Sequence, residues 1–226
     1  MSENAKASDN TTEKDESNTQ VSNIIDWDPL HDPENPLEWP RWRKVSTLLI
    51  VSAGGMISFL GSSMLSPAVS TIMRDFKSEN QTLVVFSVSV YLLGMAVGPL
   101  VLSGISEVHG RAIVFNVCNL LFLGFSIGTA TATSLGMLIA FRFLMGFAGS
   151  SPVTVGGGVI ADVFVPAERG WATSIYALGP IIGPVLAPIA GGYVVQSAGW
   201  RWVNWVSVIL VYTLLPAEIR ICFTEC

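Results

Sequence analysis

Long stretches without a charged side chain dominate this sequence from residue 45 onward. These uncharged runs are 45–73, 80–106, 112–141, 143–161, 170–200 and 202–217. An α-helix rises about 1.5 Å per residue, so roughly 20 apolar residues cross a hydrocarbon core that is about 30 Å thick. Four of the runs exceed this length, and the run that starts at 143 reaches it if Arg142 is accepted inside the membrane. Runs of this length argue against a soluble enzyme.

The third run contains a further boundary. Residues 129–134 are polar and β-branched beside long aliphatic stretches, which predicts a tight turn. The predicted spans are then about 46–67, 82–102, 112–131, 135–158, 171–194 and 202–217. Alternating strand patterns are absent, so the sequence does not support a membrane β-barrel. We therefore expect an all-α membrane protein with six transmembrane helices.

The acidic residues are concentrated ahead of the first span. Residues 1–44 hold ten of the seventeen acids and five of the twelve bases, whereas residues 45–226 carry no net charge. Residues 1–38 have little to bury and are predicted to form a disordered acidic tail. This leaves residues 39–217 as the membrane bundle and residues 218–226 as a short second tail. A signal peptide is not expected, because the first 44 residues are polar.

The Lys and Arg residues predict the orientation in the membrane. Six spans with both termini on one side place eight bases on that side: Lys6, Lys14, Arg41, Arg43, Lys44, Arg111, Arg169 and Arg220. The opposite side receives only Arg74, Lys77 and Arg201. Because positive loops stay in the cytoplasm, both termini are predicted to be cytoplasmic. We expect a multi-pass protein of the plasma membrane.

The composition excludes several other classes of function. A nucleic-acid binder would need a basic face, which the chain lacks. Cys118, Cys222 and Cys226 have no spacing typical of disulfides or metal ligands. Residues 156–158 are three glycines without the Lys and Ser/Thr of a phosphate loop. We expect no enzyme activity, no cofactor and no metal, since no set of catalytic residues is present.

Small residues recur every fourth position in three of the spans. Gly94 and Gly98, and then Gly124 and Gly128, would each form a smooth groove for close helix packing. The fifth span adds prolines to such a row: Gly179, Pro180, Gly183, Pro184, Ala187, Pro188, Gly191 and Gly192. Each proline removes a backbone donor and crowds the preceding turn, so the helix is expected to bend or loosen. A kinked helix with a purely structural role is the alternative.

Several segments together resemble one family of transporters. The matching segments, in chain order, are 32–40, 103–111, 142–147, 161–170, 179–192 and 199–202. The chain resembles the amino-terminal six-helix half of a major facilitator superfamily transporter, and more narrowly the fungal drug:proton antiporter group. Such transporters are built from repeats, and the substrate binds between the halves. The resemblance implies a membrane transporter of small organic molecules, with multidrug efflux by proton antiport as one possibility.

The resemblance implies a role for Arg142, which begins a motif within the fourth span. An arginine inside a membrane span costs at least ~2.5 kcal/mol on insertion scales, and is therefore normally paired or functional. The resemblance implies that Arg142 faces the central cavity and influences proton coupling. The alternative is an arginine that binds backbone carbonyls or reaches the outer interface.

The resemblance also implies a charged loop that controls the conformation. Its members are Glu107, Gly110, Arg111, Asp162, Glu168 and Arg169. We expect an ion pair between Arg111 and Asp162, which would latch the outward-facing state. Ordinary solvated charge at the interface is the alternative.

Two functions of different classes remain open. The first is a carrier of small organic molecules, acting alone, as a pair of halves or as part of a longer chain. The second is a non-transporting remnant or an assembly partner of another half. The lipid bilayer is a partner in either case, and no nucleic acid is expected.

A truncated gene, an incomplete chain or an altered splice end would each account for the length, and we favour truncation. Because the spans carry no Asp or Glu between their ends, facilitated diffusion stays open beside proton antiport.

Overall fold

The computed structural model describes the backbone of residues 39–77 and 80–225, and side chains up to residue 216. Within these residues the regular structure is helical, in eight α-helices and one short 3₁₀ turn. The helices are α1 (Arg41–Ser63), α2 (Val69–Asp75), α3 (Gln81–His109), α4 (Arg111–Ala130), α5 (Leu135–Gly149), α6 (Ser151–Val163), α7 (Arg169–Ala198) and α8 (Trp200–Glu225). The predicted disordered tail, residues 1–38, lies outside the described residues.

Five helical units are long and apolar enough to cross a membrane, judged by length and composition. They are Arg41–Asp75, Gln81–His109, Arg111–Ala130, Leu135–Val163 and Arg169–Ala198. The shortest has 20 residues, which at about 1.5 Å per residue matches the thickness of a bilayer core. The segment predicted as the sixth span belongs to α8, a helix of 26 residues whose backbone continues through most of the predicted second tail.

The outward faces of these helices are apolar and open. Leu100 and Val108 on α3 are about four-fifths exposed, and Ile189 and Tyr193 on α7 are 71% and 78% exposed. Soluble monomers rarely expose contiguous apolar surface on this scale. α1 is the opposite case, because two-thirds of its most apolar window is buried among the other helices. The unit that begins with α1 is therefore the most buried of the five, and the other helices carry most of the open apolar surface.

Two predicted spans are interrupted in the structure. The fourth span breaks at Ser150, between α5 and α6, because Pro152 lacks the N–H that would continue the ladder of α5. The first span continues beyond α1 through the 3₁₀ turn Ser66–Ala68 into α2. Pro67 lies in this turn and removes a backbone donor there. Both interruptions therefore coincide with a proline.

The connection between α4 and α5 lies where the polar segment predicts a turn. α4 ends at Ala130 and α5 begins at Leu135. The hydroxyl of Ser134 accepts a hydrogen bond from the N–H of Met137 at 3.3 Å, and so caps the new helix. Serine is among the preferred residues at this position.

α7 is one unbroken helix despite its three internal prolines. Its row of small residues, from Gly179 to Gly191, is buried against α1. The missing proline donors do not end the helix, and the close contact with α1 holds the segment helical.

Candidate functional site

Arg142 lies in the interior of the bundle, on α5. It is 1% exposed, and its Nη1 donates a hydrogen bond of 2.7 Å to the carbonyl oxygen of Gly61. Gly61 lies in the last turn of α1, where carbonyls have no intrahelical donor and the helix dipole is negative. Arg142 thus supplies a hydrogen-bond donor to the buried last turn of α1, at the point where the first span is interrupted. The Nε and Nη2 atoms of Arg142 have no partner among the described residues.

Tyr91 of α3 forms the second side of this interior site. The Arg142 guanidinium carbon lies 5.5 Å from the centroid of the Tyr91 ring, a cation–π distance. The Tyr91 hydroxyl donates to the carbonyl oxygen of Ser58 on α1 at 2.7 Å. Tyr91 is fully buried. The site therefore joins α1, α3 and α5 through one tyrosine, one arginine and two backbone carbonyls.

A close crossing of α3 and α5 positions Tyr91 beside Arg142. A methyl group added at Gly94 would lie 2.8 Å from the backbone nitrogen of Phe147, and closer still to the carbonyl oxygen of Phe143. At Gly146 it would overlap the carbonyl oxygen of Tyr91. The two backbones are thus in direct contact, as small residues permit. The row in α4 behaves differently, since Gly128 faces the Phe141 ring and Gly124 faces open space.

The predicted ion pair between Arg111 and Asp162 is confirmed. Arg111 Nε lies 3.0 Å from Asp162 Oδ2, and the two side chains are 39% and 49% exposed. Gly110, which joins α3 to α4, has a φ of 89°, a conformation that favours glycine. This turn places Arg111 at the start of α4, opposite the end of α6.

Gly158 makes room for this ion pair, a function that the sequence did not reveal. A methyl group at Gly158 would occupy the position of the Arg111 guanidinium, overlapping Nη1 and Cζ. Asp162 follows one turn later on the same helix. The guanidinium therefore lies against α6 at Gly158, and its Nε reaches Asp162 from there. The three consecutive glycines at 156–158 were the available signal.

Replacing Gly158 with Val is expected to displace Arg111 and break the ion pair. The pair is half-exposed and contributes up to about 1 kcal/mol, and the flexible Arg111 side chain can move aside, so the expected loss is about the contribution of the pair. Thermal unfolding of the purified chain in detergent, for Gly158→Val, Asp162→Asn and the double variant, measures the coupling. The double variant should lose little more than Gly158→Val alone. Gly157→Val is the control, because a methyl group there meets nothing within 4 Å. Equal losses for the two valine variants would contradict this account.

The remaining residues of the predicted loop separate into different contacts. Glu168 pairs with Arg41 at 3.8 Å. Arg169 donates to the carbonyl oxygens of Ala161 at 2.8 Å and Phe164 at 3.1 Å, and so closes the turn between α6 and α7. Glu107 is exposed, and it forms no ion pair with the side chains of residues 39–77 and 80–216. The loop residues thus mark one end of the bundle without forming a single network.

The α7 row contacts α1 along its length. Methyl groups at Gly179 and Gly191 would overlap the carbonyl oxygens of Ser52 and Met64, and one at Gly183 would lie 2.8 Å from that of Met56. Pro180 packs near Gly55 on the same face. Pro184 is half-buried, Pro188 is exposed, and Gly192 has no neighbour close to its side-chain position. Only part of the predicted Pro-Gly stripe is therefore a packing surface.

A second ionic cluster lies at the opposite end of the bundle. Asp75 Oδ2 accepts a hydrogen bond of 2.7 Å from Trp200 Nε1 and lies 3.6 Å from Arg201 Nη1. Arg201 also donates to the carbonyl oxygen of Ala132 at 3.4 Å. Trp200 is 1% exposed and packs against Phe76. These contacts tie together α2, the α4–α5 turn and α8.

Asp75→Ala is expected to destabilise the chain more than Asp75→Asn. Alanine leaves the buried Trp200 N–H without an acceptor, at a cost of about 1–3 kcal/mol. Asparagine keeps an acceptor and loses only the exposed ion pair, about 1 kcal/mol or less. Thermal unfolding in detergent measures both. In a Trp200→Phe background, where no indole N–H remains, the two substitutions should differ little, and a persistent gap would contradict the assignment.

No three His, Cys, Asp or Glu side chains lie together in a metal-binding arrangement within residues 39–77 and 80–216. Among the described residues, the polar side chains considered above as a candidate site lie mainly at three places. One is the buried arginine in the interior, and the others are the ionic clusters at the two ends.

Comparison with known proteins identifies relatives of this arrangement. Residues 51–217 match the sequence profile of the Major Facilitator Superfamily. The chain is 45% identical over 187 residues to the efflux pump radE of Floropilus chiversii, which covers 83% of this chain and 35% of that protein. It is 50% identical over 187 residues to the MFS-type transporter tndD of Aspergillus flavipes, with the same coverage. The chain thus spans about a third of the length of these relatives.

Solved structures share the fold. The proton:xylose symporter XylE, bound to 6-bromo-6-deoxy-D-glucose, superposes with a TM-score of 0.73 at 18% identity, over 80% of this chain and 45% of that one. A bacterial homologue of the human lysosomal transporter Spinster, in an inward-facing and unoccupied conformation, gives a TM-score of 0.63 at 16% identity, over 82% of this chain and 44% of that one. In both cases slightly less than half of the larger fold corresponds to this bundle.

Proposed function

Because this chain belongs to the Major Facilitator Superfamily, we propose that it forms the amino-terminal half of a membrane transporter that exports small organic molecules. The observation that carries the proposal is its identity of 45–50% to fungal transporters, one of them an efflux pump, over 83% of the chain. The open apolar faces of the helices support a membrane location.

The proposed topology has six crossings with both termini in the cytoplasm. α8 is the sixth crossing, in addition to the five apolar units. The end that carries Arg41, Arg111 and Arg169 is then cytoplasmic, because it has the larger number of bases. The plasma membrane is the proposed location.

Arg142 is proposed to couple the interior of this half to its conformation. Its guanidinium binds the last turn of α1, and its Nε and Nη2 donors have no partner in the part of the chain that the structure describes. Those donors are available to an acceptor on a substrate, or to a water molecule that carries a proton. Proton antiport rests on the family resemblance, since the carboxylates Glu107 and Asp162 lie at one end of the bundle and not beside Arg142.

The Arg111–Asp162 ion pair is proposed to act as a latch on the cytoplasmic side. Both groups are about half-exposed, so the pair is weak enough to open at modest cost. A latch of this kind would favour the outward-facing state while it is closed. The neighbouring Glu107, Gly110, Glu168 and Arg169 would position the same loop.

A second candidate is a non-transporting assembly partner. In transporters built from two halves the substrate lies between the repeats, and this chain covers 35% of the length of its relatives. A single half supplies only one wall of such a site. It would then act by association with another six-helix half.

A chimera separates the two candidates. Residues 39–217 replace the matching segment of the Aspergillus flavipes relative, and export of a lipophilic fluorescent dye is measured in cells. In parallel, the 226-residue chain alone is reconstituted into liposomes. Export by the chimera supports a transporter half, and dye movement by the chain alone shows that one half is enough. A folded, surface-expressed chimera that moves no dye would contradict the transporter proposal.

A further inference from the structure

A pocket of about 310 Å³ lies at the end of the bundle where α1 and α7 begin. Arg41, Lys44, Val45, Phe164, Glu168 and Trp171 line it. This volume falls at the lower end of the range of small-ligand sites. The residues belong to three segments, which are the first turn of α1, the residue that follows α6, and the start of α7 with Glu168 directly before it. The transport proposal does not use this pocket.

The lining attracts anions. The Arg41 side chain carries a positive charge and is 94% exposed. Two helices of 23 and 30 residues begin here, so the positive ends of both dipoles point toward the pocket. Among the described residues of the lining Glu168 is the one carboxylate, and its ion pair with Arg41 is long, at 3.8 Å, and partly exposed. Another anion that enters the pocket could therefore displace the Glu168 carboxylate from Arg41 at little cost.

The same lining is also apolar. Phe164 is buried, Val45 is half-buried and Trp171 is 42% exposed at the rim. Trp42, next to Arg41, is 73% exposed. Exposed tryptophans at the beginning of apolar helices are typical of the membrane–water interface. A ligand that fits must therefore combine an anionic group with an apolar body, and must be present at the depth of the lipid headgroups.

We propose that this pocket binds the phosphate-bearing headgroup of an anionic phospholipid from the surrounding leaflet. Arg41 and the two helix N-termini contact the phosphate, and Val45 and Trp171 contact the glycerol and the upper acyl chain. Basic groups next to a membrane span attract anionic lipids in this way. The inference rests on the proposed topology only for the choice of the cytoplasmic leaflet, and binding itself does not require transport.

Lipid binding to the purified 226-residue chain tests the proposal. Native mass spectrometry of the chain in detergent, titrated with dioleoylphosphatidylserine or dioleoylphosphatidylcholine, gives both affinities. We expect the serine lipid to bind at least about fivefold more tightly, and Arg41→Gln to lose about fivefold, as one basic group near a membrane contributes. Because Arg41 is exposed, this variant should retain the elution profile of the native chain.

Two further variants complete the test of lipid binding. Glu168→Gln should change the affinity in the opposite direction to Arg41→Gln, and Arg74→Gln is the control. Removing the Glu168 carboxylate should strengthen binding of phosphatidylserine severalfold, which a merely structural role would not do. Arg74 lies at the other end of the bundle, so its substitution should leave binding unchanged. Equal binding by Arg41→Gln and Arg74→Gln would overturn the site. Competition by soluble glycerophosphoserine at the concentration of the lipid would overturn the assignment to lipid.

Discussion

Arg142→Ala is expected to abolish transport by any complete transporter that contains this half. The substitution removes a buried guanidinium that binds the Gly61 carbonyl and lies over the Tyr91 ring. The carbonyl is then left buried without a donor, at a cost of about 1–3 kcal/mol. The negative end of the α1 dipole, which lies at the break in the first span, also loses the positive charge that faces it.

Dye export by the chimera, normalised to the amount of protein at the cell surface, measures this effect. Arg142→Lys is the informative companion, because it keeps the charge but not the planar fork of donors. We expect Arg142→Lys to export poorly while folding nearly normally, and Arg142→Met, which fills the space without a charge, to be inactive. Undiminished export by Arg142→Ala at normal expression would contradict the proposed role.

Gly94→Val is expected to prevent α3 and α5 from packing. The first atom of the new side chain would overlap the Phe143 carbonyl oxygen and lie 2.8 Å from the Phe147 nitrogen. Backbone atoms cannot move aside as a flexible side chain can, so the helices must separate along the whole crossing. The loss should be about 3 kcal/mol or more, at the upper end for overpacked interiors. Tyr91, one turn away, would lose its place beside Arg142.

The yield of monodisperse protein in detergent, and its thermal unfolding midpoint, measure this loss. Gly104→Val is the matched control on the same helix, since a methyl group there meets nothing within 4 Å. Both variants carry the same propensity cost, so the difference isolates the crossing. Gly146→Val, on the partner helix, should fail in the same way as Gly94→Val. A similar yield and unfolding midpoint for Gly94→Val and Gly104→Val would show that α3 and α5 are not in close backbone contact at Gly94.

The sequence predicts the helices well because hydrophobic length is a strong constraint in a membrane. Each uncharged run needs an internally hydrogen-bonded backbone, and a helix is the simplest solution. The break at Ser150 was missed, since a proline inside an apolar run can either kink or end a helix. The interruption after Ser63 was missed for a similar reason, because Pro67 lies in a stretch that hydropathy alone treats as continuous.

The candidate site was predictable in part. Arg111 and Asp162 lie at a membrane edge in two different family motifs, 103–111 and 161–170, so their ion pair could be expected. The sequence could not decide what Arg142 contacts, because a buried arginine can either face a central cavity or bind a backbone carbonyl. The contact of Asp75 with Trp200 joins residues that are 125 positions apart, and no local pattern specifies it. The glycine spacing at Gly94 and Gly98 predicts a smooth face on α3, but it does not predict that this face packs against α5 at Gly146.

In the proposed topology the helices cross a bilayer in alternating directions, so that the two ionic clusters lie on opposite sides. Single cysteines at positions 109 and 167 mark the end of the Arg111–Asp162 pair, and those at 77 and 133 mark the end of the Asp75–Arg201 pair. Each is introduced into the full chain after its three native cysteines are replaced by serine. A membrane-impermeant maleimide should label positions 77 and 133 in intact cells, and positions 109 and 167 only after permeabilisation. Labelling of all four positions from one side, or of two positions at the same end from opposite sides, would contradict the account.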